Sequence, residues 1–146
     1  MSTAAAVKPS LTIRRRFKAA PARVFAAWTE PAQIARWFGP GGTKVIDAVF
    51  ELRVGGRFMI HATSESGEDH RVSGTVQEIV PGRKVSYTWA WQSTPERQSL
   101  VTVECKPDGD GTVLTLTHEQ FFDEGARDRH NGGWNAALDK LEAYLA

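Results

Sequence analysis

Four histidines are the side chains in this sequence best suited to proton transfer or metal binding: His61, His70, His118 and His130. His61 and His70 flank the turn residues Ser66-Gly67, so a hairpin would let them face each other, as a metal-binding pair requires. A zinc site needs at least one more ligand, and the sequence supplies none at a convincing spacing. We therefore expect two histidines near solvent at a hairpin end, and we assign no metal site.

His118 follows Leu114 and Leu116 in an alternating run that directs the imidazole toward the predicted core. A half-buried imidazole has a pKa that is easily moved, and it can serve as an acid, a base or a hydrogen-bond donor to a ligand. The alternative is a core histidine satisfied by a backbone carbonyl or by a side chain of the last helix, and we favour this second interpretation. No Ser-His-Asp, Cys-His or phosphate-loop pattern stands out, so we assign no catalytic residue.

Composition excludes several classes of protein. The 18 basic and 17 acidic residues give a net charge of +1, which argues against a dedicated nucleic-acid binder. Cys105 is the single cysteine, so an internal disulfide and a cysteine zinc cage are excluded and a reducing compartment is favoured. No run approaches the roughly 18 apolar residues of a membrane span, and the start lacks a secretory signal. We expect a cytoplasmic monomer or homodimer without membrane or nucleic-acid partners.

The order of predicted elements defines a single domain. Residues 1–10 are predicted to form a flexible N-terminal tail, and the domain spans 11–146. A strand at 11–17 is followed by two short helices that begin at Pro21 and Pro31, and Gly39-Pro40 stops the second. Alternating β-branched and aromatic runs then predict six strands in an antiparallel meander, at about 43–53, 57–63, 70–80, 84–92, 99–107 and 111–120.

The C-terminal segment changes to helical spacing. Trp134, Leu138, Leu141 and Leu145 form one apolar stripe of a long helix from about residue 124 to 145. Gly132-Gly133 inside it costs about 1 kcal/mol per residue relative to alanine, so we expect a close approach of helix backbone to sheet or ligand. The predicted fold class is α+β, a curved seven-stranded antiparallel sheet wrapped around the long C-terminal helix, with two short helices after strand 1.

Several short motifs in this order resemble the START-like or SRPBCC superfamily with its helix-grip fold, and within it the family named for the activator of the Hsp90 ATPase. The resemblance covers about residues 11–146. It rests on Pro21–Trp28, Arg36–Pro40, Val54–Phe58, Gly74 with Pro81 and Tyr87–Trp89, Gly111-Thr112 before Leu114–His118, and Gly133-Trp134 before Leu138, Leu141 and Leu145. The superfamily hosts lipid carriers, polyketide cyclases, hormone receptors and members of unknown role, so the resemblance implies a fold and no single activity.

Aromatic content is the main functional signal, because five Trp and seven Phe supply apolar faces that must fill a core or line a pocket. Our first hypothesis is a small-molecule binding protein that holds an apolar or aromatic ligand between sheet and C-terminal helix without a cofactor. The alternatives are a cofactor-free enzyme of polyketide-cyclase or hydrolase type, in which His118 acts as an acid or base, and a chaperone-ATPase-activating module. The predicted pocket is lined by Trp37, Phe58, Trp89, Val101, Val103, His118 and Trp134.

Overall fold

The computed structural model describes residues 8–146, and most of the predicted N-terminal tail, residues 1–7, lies outside the described residues. Within the remainder of that tail, the Pro9 carbonyl accepts a hydrogen bond from the Phe121 N–H at 3.1 Å. In chain order the elements are β1 (Leu11–Phe17), α1 (Pro21–Thr29), α2 (Pro31–Trp37), β2 (Lys44–Phe50), β3 (Arg57–Thr63), β4 (Asp69–Val80), β5 (Lys84–Trp91), β6 (Ser99–Asp108), β7 (Gly111–Glu119) and α3 (Glu124–Leu145).

The seven strands form one antiparallel sheet in the order β1-β7-β6-β5-β4-β3-β2. Strands β2 to β7 follow each other as a meander, and β1 joins the sheet beside β7. Bulges interrupt the ladders at Val45/Asp47 and at Val76/Glu78, where they add local twist and bend the strands. The predicted α+β class, with a curved seven-stranded sheet and a long C-terminal helix, is confirmed.

Close backbone contact between β4 and β5 explains one glycine of the sheet. A Cβ added at Gly74 would lie 1.8 Å from the Thr88 carbonyl oxygen, so no side chain fits there without separating the strands. The predicted C-terminal end of β2 was wrong by about three residues: the strand ends at Phe50 and was expected to end near residue 53. The chain turns sharply there through Gly55, whose φ of 83° is favourable for glycine.

Alternation along the central strands buries one face of the sheet. Val101, Val103 and Cys105 on β6 are fully buried, and so are Leu114 and Leu116 on β7. Because successive strand residues point to opposite faces, these residues line the concave side, against the helices. They form the sheet side of the hydrophobic core, on which the helices pack.

Asp123 caps the N-terminus of helix α3, since its carboxylate accepts a hydrogen bond from the Ala126 N–H at 2.8 Å. Leu138 and Leu141 are fully buried against the sheet. On one flank Asp139 forms an ion pair with Arg15 of β1. On the other flank the Lys140 ammonium donates to the carbonyls at the end of α2, with a distance of 3.2 Å to that of Gly39. Polar contacts therefore hold helix α3 to β1 on one side and to the end of α2 on the other.

The helices of residues 8–146 include none with the length and apolar character needed to cross a membrane.

Candidate functional site

An open pocket of about 460 Å³ lies between one end of the sheet, the segment after α2 and the N-terminal half of α3. Strands β3, β4 and β5 contribute Ile60, Ala62, His70, Trp89 and Trp91, together with Ser64 and Ser93 just beyond the strand ends. The segment after α2 contributes Phe38, Gly39, Pro40 and Thr43, and α3 contributes Arg129, His130, Gly133, Trp134 and Ala137.

Regular spacing brings these residues to the pocket. Ile60 and Ala62 share one face of β3, and Trp89 and Trp91 share one face of β5, because strand residues two apart point the same way. On α3, positions 129, 133 and 137 are four residues apart and lie on one helical face. The pocket is therefore built from one face of each element.

Tryptophan rings form the deep wall of the pocket. The Trp89 ring lies 5.2 Å from that of Trp134 and 5.5 Å from that of Trp91, with the second pair edge-to-face. Phe38 closes the opposite side, with its ring 6.2 Å from that of Trp89. These distances are those of favourable aromatic pairs, so the walls support one another around the opening.

Two of the seven residues predicted to line the pocket, Trp89 and Trp134, do line it. Trp37 instead lies in the core, where its ring is 4.7 Å from that of Trp28 and its indole N–H donates to the Ala27 carbonyl. Phe58 lies outside the lining and stacks on Trp89 at 5.8 Å.

The other three predicted residues, Val101, Val103 and His118, are fully buried and do not contribute to the lining. They lie on the sheet face that lines the pocket, but deeper in the core. Val101 pairs directly with His118 across the β6–β7 ladder. The sequence pattern predicted which face of the sheet is buried, but it did not distinguish a core residue from a pocket residue on that face. Whether Trp89 and Trp134 bind a ligand stays a prediction.

His118 belongs to a hydrogen-bonded chain that links α3 to the sheet. The indole Nε1–H of Trp134 donates to Nδ1 of His118 at 3.0 Å. Because an indole N–H only donates, Nδ1 is the acceptor and Nε2 carries the proton, which it donates to Ser99 Oγ at 2.7 Å. Ser99 Oγ in turn donates to the Trp89 carbonyl at 3.2 Å. Both ring nitrogens are therefore occupied by structural bonds.

Burial and, to a smaller extent, the neighbouring His130 lower the pKa of His118 from 6.5 to about 2. A neutral imidazole with both nitrogens bonded cannot exchange protons near neutral pH without breaking the chain. The geometry therefore supports the interpretation of His118 as a core histidine, satisfied on one side by a side chain of the last helix.

His130 makes a second link between α3 and the sheet, at the edge of the pocket. Its Nδ1–H donates to the Ala126 carbonyl at 2.7 Å, and its Nε2 accepts from the Trp91 indole at 2.9 Å. Burial lowers the pKa of His130, and the charge of Arg129 acts in the same direction, although the bond to Ala126 opposes the shift. The neutral form therefore keeps Trp91 in place as a wall of the pocket.

One tryptophan has an unsatisfied polar group. Four of the five indole N–H groups donate within residues 8–146, those of Trp28, Trp37, Trp91 and Trp134, at 2.9 to 3.0 Å. The indole N–H of Trp89 is buried without a partner in that part of the chain. A buried donor left unpaired costs about 1–3 kcal/mol, so an acceptor that enters the pocket within reach of it would stabilise this arrangement.

The histidines at the β3–β4 hairpin do not form a pair. His70 pairs with Ala62 across the ladder and lines the pocket, whereas His61 pairs with Arg71 and faces the other side of the sheet. His61 Nε2 lies 3.4 Å from Asp69 Oδ1. Residues 8–146 contain no group of three or more His, Cys, Asp or Glu side chains arranged to hold a metal ion.

A family model places the chain among known proteins. Residues 18–146 match the model of the activator of Hsp90 ATPase homolog 1-like protein family. The chain belongs to this family. The prediction from the sequence motifs is therefore confirmed.

Solved structures of other proteins share the fold. The AHSA1 protein of Silicibacter pomeroyi has 29% sequence identity and a TM-score of 0.85, over 94% of this chain and 97% of that one. Protein Mll3558 of Rhizobium loti has 35% identity and a TM-score of 0.74, over 95% and 98%. CalU16 of Micromonospora echinospora has 30% identity and a TM-score of 0.71, over 94% and 76%. No curated protein matches this chain.

The pocket lies within the region that defines the AHSA1-like family. Its lining runs from Phe38 to Ala137, inside the matched residues 18–146. Strand β1 precedes that region and completes the sheet beside β7. The part of the AHSA1-like fold that carries the candidate site is therefore the part shared with the family.

Proposed function

We propose that this AHSA1-like protein binds a small apolar or aromatic molecule in the pocket between the sheet and α3. The volume of about 460 Å³ falls within the range of roughly 300–1,000 Å³ that is usual for small-molecule sites. Apolar and aromatic residues make up most of the lining, together with a few polar side chains, which is the composition of such sites.

The observation that carries the proposal is Trp89, which is 3% exposed and lines the pocket, and whose indole N–H is buried without a partner in residues 8–146. A residue that only filled the core would be expected to have its N–H paired, as the core tryptophans Trp28 and Trp37 do. A ligand that packs its ring on the tryptophan wall and presents an oxygen or nitrogen acceptor to Trp89 would satisfy both features.

Gly133 supports the proposal from the side of the helix. A glycine inside a helix is about 1 kcal/mol less favourable than alanine. A Cβ added at Gly133 would meet nothing within 4 Å, so packing of α3 on the sheet does not require the missing side chain. Gly133 lines the pocket, and a larger residue there would occupy the space that we assign to the ligand.

The experiment uses N-phenyl-1-naphthylamine, a neutral apolar fluorescent probe, with the variant Gly133→Leu and the control Gly132→Leu. Gly132 is the adjacent helical glycine, has equally open surroundings and is not part of the lining. We expect the probe to bind the wild type and Gly132→Leu and to quench tryptophan fluorescence. Gly133→Leu should weaken binding at least about tenfold, which corresponds to about 1.4 kcal/mol.

Thermal melting of both variants serves as the check on folding, since each replaces a helical glycine with a better helix former. Equal probe affinity in Gly133→Leu and Gly132→Leu would show that the probe binds elsewhere. Failure of the wild type to bind any neutral aromatic probe would overturn the proposal and leave the aromatic cluster as an incompletely filled core.

A further inference from the structure

We propose that the ligand of this pocket is an aromatic anion, whose rings pack on the tryptophan wall and whose acidic group pairs with Arg129. This inference rests on the proposed function and adds the charge of the ligand to it. It follows from the kinds of polar group that the pocket presents.

The permanent charge in the pocket lining is positive. Arg129 is the one lining residue with a permanent charge, and no Asp or Glu of residues 8–146 lines the pocket. The buried indole N–H of Trp89 is a further donor, and it has no partner in residues 8–146. A ligand with a positive charge would meet repulsion here and no carboxylate, whereas an anion would meet attraction.

Backbone acceptors at the opposite rim already have a partner. The Lys140 ammonium lies 3.4, 3.2 and 3.5 Å from the carbonyl oxygens of Phe38, Gly39 and Pro40. All three residues line the pocket. Lys140 therefore places a second positive charge behind the rim, and it reduces what these carbonyls can offer to a ligand donor.

Arg129 is available for a ligand. Its guanidinium forms no ion pair within residues 8–146, although Arg127, two residues earlier, pairs with Asp128 at 3.1 Å. On α3, Arg129 stands one turn before Gly133, so the two residues lie on the same helical face. The guanidinium extends back toward the first turn of α3, where Nη1 lies 3.3 Å from the position that a Cβ at Gly125 would occupy. A ring seated over the open backbone of Gly133 must therefore extend its acidic group toward that end of the helix to pair with Arg129.

A matched pair of probes isolates the charge. The probe 8-anilinonaphthalene-1-sulfonate carries the same anilinonaphthalene rings as N-phenyl-1-naphthylamine and adds one sulfonate. We expect the wild type to bind the sulfonate probe more tightly than the neutral one. Arg129→Gln should weaken binding of the sulfonate probe about fivefold, because the ion pair with the exposed guanidinium is lost, and should change binding of the neutral probe less than about twofold.

Arg127→Gln is the control, since it removes the same charge from the same helix at a residue outside the lining. It should leave both affinities unchanged. If Arg129→Gln and Arg127→Gln weaken the sulfonate probe equally, the effect is one of net charge and the inference is wrong. If the sulfonate probe binds no better than the neutral probe, the inference is also wrong. The proposed function is tested separately, by binding of the neutral probe and its loss in Gly133→Leu, which alters no charge.

Discussion

Acidification should destabilise this protein through His118, and His118→Asn should remove that part of the pH dependence. The neutral imidazole accepts from Trp134 and donates to Ser99. A protonated ring would turn a second N–H toward the indole N–H of Trp134, and one hydrogen bond between α3 and the sheet would be lost. Asparagine does not titrate in this range, and its amide keeps one acceptor and one donor.

The size of the effect follows from the pKa of His118. Burial lowers this pKa from 6.5 to about 2, so protonation favours the unfolded chain. The stability that depends on the neutral ring is fully present above about pH 6.5 and decreases as the pH falls toward the folded-state pKa. Between about pH 7 and pH 5 the loss amounts to about 2 kcal/mol. His130, whose pKa is also lowered by burial, adds to the loss in the same direction.

The assay is urea denaturation of the wild type and His118→Asn at these two pH values. We expect the free energy of unfolding of the wild type to fall by about 2 kcal/mol more than that of the variant. Leu138→Ala is the control for general destabilisation, because it removes no titrating group. An equal pH dependence in wild type and His118→Asn would refute the argument, since it would mean that His118 titrates alike in the folded and unfolded chains.

The remaining predictions concern the core. Leu138 is fully buried under α3, so Leu138→Ala should lower the free energy of unfolding by about 2–5 kcal/mol, and a loss below about half a kcal/mol would show that α3 does not pack on the sheet as described. Cys105 is fully buried, and burial raises the pKa of its thiol to about 12. It should resist a thiol reagent in the native protein at neutral pH and react once the chain is unfolded, and rapid reaction of the native protein would contradict its placement.

The fold could be predicted from the sequence because its signals are local and repeated. Alternation in β5, β6 and β7 identified the strands and their buried face, and the spacing of Trp134, Leu138 and Leu141 identified α3. The predicted positions of strand ends were less accurate where the following turn requires a residue with positive φ. Gln120, for example, adopts a φ of 66° and ends β7 one residue earlier than predicted.

The pocket was harder to predict, because alternation reveals the face of a residue and not its depth. Val101 and Val103 share a face with Trp89 but lie in the centre of the sheet, covered by other elements. The available signal lay on α3, where the open Gly133 and its neighbours His130 and Trp134 follow helical spacing around the pocket. The positive charge of the pocket could not be predicted either, since only the folded chain shows that Arg129 lines the pocket without an ion-pair partner in residues 8–146.

A crystal structure of the protein with bound N-phenyl-1-naphthylamine would test the central claim most directly. We expect density for the naphthalene ring between the tryptophan wall formed by Trp89 and Trp134 and the open backbone of Gly133. Density for the probe only on an exposed apolar surface, such as the one around Leu52 and Val54, with the pocket unfilled, would contradict it.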